Sequence, residues 1–480
     1  MHTLSSLKNG NQVTVIIKIM HKPLTIIISY IHSILIRIFP PNKNIPRAGN
    51  IYVETLGLLG LFLYLANINL QSDLFSTGEI LLGVSFLLAW KQLRILLSQP
   101  IFWLMLLWVL AVTASAISGI HRFPFVDSLE QLDEARKMAL YALLVPIGWW
   151  IGPNLTSIRN ALLITCLGFV IAALPWILDW NTLGPMLEGK RPGRDILGFW
   201  TIQYATWAGL LLLAVAFMGK ELLPEPLRYQ KGLFLGYTLL IIISICLVLG
   251  VYVTLSRMIW ISLFLSIPFG IILYIITSPR TKQRLFNLTS IIAILLMILV
   301  LGFAQLDKIS ERFSRDSETI ENIMKGDWEE IEKRGLGTRI HQYRWALNTD
   351  EFISIFGWGP MATEIISDHE RLRNAYNYPE LRNHPHLHND LLEILLRTGI
   401  FGTTIIALTI SYMIKGLLTG LKLKNFPHFL FVFLITAMFY FFLTGLTNFS
   451  FRIQSIVPVL GGITFATILL LPIKYDRCIQ

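Results

Sequence analysis

Three histidines at alternate positions, His384, His386 and His388, stand in the stretch HPHLHNDLLEILLRTGIFGT and run straight into an apolar segment. Imidazole changes charge near neutral pH, so such a group could be a general base, a metal site or a polar cap. Pro385 among them excludes a helix there and predicts an extended strip with alternate rings on one side. Zinc is conceivable on that strip, but no Cys, Asp or Glu stands at a fourth-ligand spacing, and no metal is assigned. The run DLLE at 390–393 reads as a capping box, Asp390 capping and Glu393 reaching back, so neither carboxylate need do chemistry. His384 and His386 then read as interfacial polar residues, with Asn389 serving the helix start. His388 remains, just before a helix N-terminus, where the dipole disfavours the imidazolium and helps keep a neutral, base-competent ring.

Arginines supply the second kind of chemistry. Arg191 and Arg194 in GKRPGRDILG, Arg257 in YVTLSRMIWISLF and Arg339 in GTRIHQY stand in or beside loops between apolar segments. Planar, permanently charged guanidinium groups suit phosphate oxygens, and two or three together suit a pyrophosphate. Arg257 is the most unusual, because two apolar segments meet there with hardly a turn, and a charge at membrane depth is costly unless it faces a cavity. Arg122, Arg136, Lys137 and Arg452 read as surface charges, and Lys190 as added positive field.

The elements that must position these groups are membrane helices. Of 480 residues 54% are hydrophobic and 15% charged, more apolar surface than a soluble core of this length could hide. The expected class is an all-α polytopic membrane protein with about twelve transmembrane helices, over 51–70, 75–92, 101–119, 138–152, 158–178, 197–218, 232–255, 258–277, 286–305, 389–414, 428–446 and 453–473. With the N-terminus inside, Lys and Arg gather in the inside loops throughout. The chain then divides into a basic cytoplasmic or interfacial segment (1–50), helices one to nine (51–305), an outer lobe (306–388), and helices ten to twelve with a short tail (389–480). The lobe holds half of the chain's acidic residues and half of its ten histidines, so it must be hydrated. Within it, Ile340, Tyr343 and Leu347 at helical spacing predict an amphipathic helix over the bundle, ATEIISDHERLRNAYN reads similarly, and GWGP at 357–360 predicts a turn.

The remaining composition mostly excludes. Cys166, Cys246 and Cys478 have no paired spacing and imply no disulfide framework. The net charge of +10 is spread over many short loops, which favours anionic membrane lipids over nucleic acid as partner. Trp149, Trp150, Trp200, Trp207 and Trp260 sit near segment ends, where interfacial anchoring is the default. Walker, Rossmann and DxD-like patterns are missing where they could work, which argues against a nucleotide-powered transporter or a metal-dependent nucleotide-sugar enzyme.

HNDLLEILLRTGIFGT, from His388 to Thr403, resembles the pattern His-Asn/Ser, nine residues, Gly-x-x-Gly-Thr/Val of the O-antigen ligases within the O-antigen ligase and polymerase family. LSRMIW around Arg257, and GTRIHQY followed by GWGP, are similar to further segments of that family, and the likeness runs from about 190 to 405. The resemblance implies an inner-membrane enzyme of lipopolysaccharide assembly with a periplasmic lobe. It implies transfer of a glycan from undecaprenyl diphosphate to a sugar of the lipid A core, with no metal and no cofactor. By the family's pattern His388 would activate the acceptor hydroxyl, while Arg257 and one of Arg191 and Arg194 would hold the diphosphate; Arg339 joins them on its own guanidinium chemistry, and His386 and Asn389 stand beside His388 as its support. Attack opposite the leaving group would invert the anomeric centre. The rivals are an O-antigen polymerase, a transporter of lipid-linked glycans, which should carry mid-segment charges and an internal repeat, and a structural scaffold.

Overall fold

Backbone in lipid must satisfy its own polar groups, which leaves only helices and closed barrels as spanning elements. The computed structural model describes residues 25–41, 50–68, 73–92, 94–188, 190, 201–228, 232–277, 306–333, 335–349, 352–375, 386–447 and 455–471, and every regular element among them is helical. Helices α1 (Thr25–Ile38), α2 (Ile51–Asn67), α3 (Asp73–Leu88) and α4 (Pro100–Arg122) lead to the amphipathic α5 (Ser128–Ala139) and the short α6 (Leu144–Ile151). There follow α7 (Leu155–Leu178), α8 (Trp180–Leu187), α9 (Thr201–Met218), α10 (Leu233–Val253) and α11 (Arg257–Thr277). The segment expected to form the lobe holds α12 (Leu306–Lys325), α13 (Leu336–Asn348), α14 (Ala362–Asp368) and α15 (Glu370–Ala375), and α16 (Asp390–Leu423), α17 (His428–Gly445) and α18 (Ile456–Ile468) are the last helices among the described residues.

Seven of the helices, α4, α7, α9, α10, α11, α16 and α17, are long and apolar enough to cross a membrane. The other expected spans differ. Segments 51–70, 75–92 and 453–473 hold the shorter α2, α3 and α18 of 17, 16 and 13 residues, and 286–305 lies outside the described residues. Segment 138–152 is not one helix: α5 stops at Ala139, a 3-10 turn covers Leu140–Leu143, and α6 restarts at Leu144. Pro146 is the physical cause, since its ring opposes the carbonyl of Ala142 and it has no N–H to give.

The N-terminal basic region contributes α1, which packs on the bundle. Leu35 and Phe39 join the main core, and Asn160 and Ser157 of α7 donate to the carbonyls of Ile38 (2.5 Å) and Pro40 (3.1 Å). Helix α9 is apolar all round and buried from Tyr204 to Met218, which places it at the centre. Three of the five expected tryptophan anchors are core residues instead: Trp149, Trp150 and Trp207 are 2%, 0% and 0% exposed, while Trp260 is half-buried and Trp200 lies outside the described residues. Gly57 leaves the space that the Trp150 ring fills, and the Trp207 indole donates to Ser455 Oγ at 3.1 Å. A ring near a segment end reads as an anchor only if that end faces lipid, and these face other helices.

Contact pairs fix helix directions. Tyr412 of α16 donates to Gln99, just before α4 (3.2 Å), while Ser115 near the other end of α4 donates to the carbonyl of Arg397. Helices α4 and α16 are therefore antiparallel. Helices α11 and α17 are antiparallel too, because Tyr274 meets His428 (5.1 Å between ring centroids) and Phe269 meets Phe439 (4.4 Å). Over that end of the bundle where α4 finishes and α16 begins lies a second, small core of Phe123, Trp345, Phe352, Trp358, Ile365, Ile366, Leu387 and Leu396. Helix α13 turns a different stripe inward from the expected Ile340, Tyr343 and Leu347. Thr338, Gln342, Trp345 and Ala346 are its buried side chains and Leu347 is 79% exposed, because this small core claims Trp345 and the histidine strip claims Gln342.

Candidate active site

The site is built on a break in α16. Gly399 has φ 68° and ψ −170° inside an otherwise helical run, a conformation essentially confined to glycine. Breaking a helix frees donors and acceptors that must find partners when buried. The GWGP loop supplies them. Ile400 N–H donates to Ser354 O (2.9 Å) and Phe401 N–H to Ile355 O (3.1 Å), while Trp358 and Gly359 N–H donate to the carbonyls of Leu396 (2.7 Å) and Arg397 (3.3 Å). The expected turn at 357–360 is thus a docked loop, with Gly357 and Gly359 at positive φ. A Cβ at Gly357 would collide with the backbone of Arg397, and one at Gly399 with the carbonyls of Ser354 and Ile355. Above the loop, Arg122 stacks over the buried Trp358 ring at 4.3 Å, so it is not the plain surface charge the sequence suggested.

The first turns of α16 hold a buried charge cluster that the sequence reading missed. Arg397 is fully buried. Its Nε donates to Glu393 Oε1 (2.7 Å) and its Nη2 to both Glu364 oxygens (2.8 and 2.7 Å). Its Nη1 meets the carbonyl of Pro360 and stands 3.6 Å from Glu134. Glu393, equally buried, also accepts from Thr363 Oγ1 (2.5 Å) and, through Oε2, from the backbone N–H of Leu387 (2.8 Å). The capping-box expectation is therefore corrected. Asn389 is the N-cap, its side chain accepting from Leu392 N–H at 3.1 Å, and Glu393 reaches past the cap to the strip before it. Asp390 lies inside the helix, its carboxylate against Gly445. A one-residue shift in cap position decides which side chains remain for other roles, and DLLE alone does not fix it. The spacing Glu393, Arg397 was the available signal, an i,i+4 ion pair on the face that proves buried.

The histidine strip is gripped through its backbone. Gln342 Nε2 donates to His386 O (2.6 Å), and the Tyr343 hydroxyl is 3.0 Å from His388 O and 2.9 Å from Leu446 O. Asn389 Nδ2 donates to the same Leu446 carbonyl at 3.2 Å. The strip is not uniformly extended: His388 has φ 51°, a left-handed value that costs a residue bearing Cβ about 1–2 kcal/mol. The His386 and His388 rings nevertheless meet edge to face, with centroids 5.4 Å apart. Burial pushes the Tyr343 phenol above its ordinary range, against the opposing effects of Asn389 and the nearby Arg339 charge. The phenol therefore remains a donor at neutral pH.

Of the proposed phosphate ligands, Arg339 lies one turn before Tyr343 on α13 and so beside the strip. Arg257 is the first residue of α11, after a turn in which Leu255 is left-handed. Since α11 and α17 are antiparallel, Arg257 lies at the same end of the bundle as Leu446, the carbonyl that Tyr343 and Asn389 share. Arg191 and Arg194 lie outside the described residues, as do His384 and Arg452. Arg136 and Lys137 are paired with Asp133 at 3.0 and 2.9 Å on α5, and these two bonds hold the Asp133 carboxyl below its usual range.

Beneath the strip an apolar cavity of about 530 Å3 opens between α16, α17 and α18. Asp390 and Leu446 stand among its lining residues, and Phe439, Phe442, Ile410 and Met413 represent its apolar wall.

Residues 242–407 match the family model described as O-Antigen ligase. The match supports membership of the O-antigen ligase family. It spans about a third of the chain, from within α10 to just past the α16 break, and takes in Arg257, Arg339, His388 and both glycines of the Gly-x-x-Gly pattern. It begins well after the expected start near 190, leaving Arg191 and Arg194 outside it. No curated protein matches the chain.

Proposed function

We propose that this protein is an O-antigen ligase, a metal-independent inverting glycosyltransferase of the bacterial inner membrane whose site faces the periplasm. The donor is a glycan on undecaprenyl diphosphate and the acceptor a sugar hydroxyl of the lipid A core. The observation that carries the proposal is His388 itself: a titratable ring within the family-matched segment, on a left-handed residue whose backbone neighbours are held by Gln342, Glu393 and Tyr343.

The chemistry follows from the groups available. The acceptor oxygen attacks the anomeric carbon as the neutral His388 imidazole takes its proton. The bond from that carbon to the diphosphate oxygen breaks with both electrons leaving on the diphosphate, and a glycosidic bond forms on the opposite face. Arg257 and Arg339, with Arg191 or Arg194, neutralise the charge that grows on the leaving group. Fixed cations aimed at developing charge need neither metal nor energy input. The apolar cavity beneath the strip supports a lipid-borne donor, because it offers the isoprenoid chain a dry wall next to the reacting end.

Purified protein given lipid-linked donor and rough lipopolysaccharide should transfer glycan without other proteins. His388→Ala should lower the rate by about 10²–10⁴-fold while insertion and folding persist, and normal turnover by that variant would remove the base. In cells, loss of a ligase leaves bare core with glycan on the lipid carrier. Loss of a polymerase leaves core bearing single repeats, and that outcome would replace this reading with the polymerase one.

A further inference from the structure

A general base must be aimed as well as present, and an imidazole on a left-handed residue is aimed only if its backbone is held. Two of the holding bonds flank the His388 peptide unit. On one side Glu393 Oε2 accepts from Leu387 N–H (2.8 Å), and on the other the Tyr343 hydroxyl meets His388 O (3.0 Å). Glu393 can reach that far because Arg397 and Thr363 engage its other oxygen (2.7 and 2.5 Å). A carboxylate presents acceptors on both oxygens, whereas a glutamine presents an NH2 group on one side and must set a donor against either Leu387 N–H or Arg397 Nε–H. The residue type thus matches a task that an isosteric amide cannot perform, and its burial excludes the water that could substitute.

We propose that Glu393, held by Arg397, and Tyr343 are positioning residues that clamp the 386–388 backbone so that the His388 imidazole is directed at the acceptor hydroxyl. The clamp links the lobe to the bundle, since Glu364, Thr363 and Tyr343 come from lobe helices while Glu393 and Arg397 come from α16. The proposal rests on reading His388 as the base.

The test uses the full chain in nanodiscs with lipid-linked donor and rough lipopolysaccharide, together with hydrogen exchange of the fragment covering 386–389. Tyr343→Phe strands no buried charge and should fold. It should lower kcat by about 10- to 100-fold, the scale on which small misplacements act, with the KM of donor and acceptor little changed. Glu393→Gln should do the same and should also speed exchange at Leu387 N–H; if that variant does not fold, Tyr343→Phe alone decides. Wild-type kcat in Tyr343→Phe, or a rise in KM at unchanged kcat, overturns the positioning role. Unchanged exchange in folded Glu393→Gln overturns the bond to the strip. Transfer absent from the wild-type protein overturns the functional reading itself, and exchange then still reports whether the clamp exists.

Discussion

Replacing Gly399 by alanine tests how the site is held in place. The backbone there has φ 68° and ψ −170°, a region nearly confined to glycine, and holding an alanine in it costs about 1–3 kcal/mol. The added Cβ would also press on the carbonyls of Ser354 and Ile355, which are backbone and cannot rotate away. If the loop retreats, the bonds from Ile400 and Phe401 to it, and those it gives to Leu396 and Arg397, weaken together. Each buried hydrogen bond contributes about 1 kcal/mol net, so the sum is about 3–7 kcal/mol when strain and several bonds combine. Thermal unfolding in detergent should show a large drop for Gly399→Ala, and transfer should fall with it, because the same loop covers Arg397. Gly83→Ala is the control, since a Cβ at Gly83 meets nothing within 4 Å; inside α3 it should leave stability unchanged or raise it by up to about 1 kcal/mol. Equal melting temperatures and equal transfer for Gly399→Ala and wild type would refute the claim that the break in α16 holds the loop.

Arg397→Met should destabilise by about 3–5 kcal/mol, because it leaves the buried Glu393 and the half-buried Glu364 without their cation; chemical denaturation measures this, and a change below 1 kcal/mol would mean that water reaches the cluster. Arg122→Ala removes the guanidinium from the Trp358 face and should cost about 0.5–2 kcal/mol in the same assay. Arg257→Ala should weaken donor use, seen as a higher donor KM and a lower kcat, with melting nearly unchanged; unaltered kinetics would take it out of the diphosphate site. For Tyr343, whose phenol is raised by burial, the folded state favours the protonated form, so its contribution is complete below the unfolded value near 10 and is lost as pH rises through the folded one. Exchange at the strip should therefore be independent of this group from pH 6 to about 9, and a loosening centred near neutral pH would assign the clamp to another residue.

The motif from His388 to Thr403 was legible as a motif, and its glycines were legible as glycines, yet their purpose was not. Gly399 serves a helix break whose partner strand of backbone, 354–359, lies forty residues earlier in the chain, and no local pattern announces such a pairing. Glu393 read as a cap for the same reason: DLLE permits a cap at Asp390 or one residue before it, and only the strip's position, fixed by Gln342 and Tyr343, selects Asn389. The tryptophans failed in the opposite direction. Trp150 and Trp207 stand near segment ends in sequence, but glycine and serine on neighbouring helices receive them in the interior. Arg257 was recognisable as odd from the chain alone, because two apolar runs meeting around a charge is a local fact.

Composition and hydropathy by themselves determined that this chain is helical and built for lipid, since an apolar stretch of span length has so few ways to satisfy its backbone. They also determined that titratable and cationic groups cluster around a few connections. What only the tertiary structure decided is which of those groups share a neighbourhood, and how an imidazole is aimed. Both depend on long-range bonds such as Tyr343 to His388 O and Thr363 to Glu393, the second of which fixes the carboxylate that holds Leu387 N–H. A side chain's direction is set by the backbone it hangs from, and here that backbone is held by helices that meet only once the chain has folded.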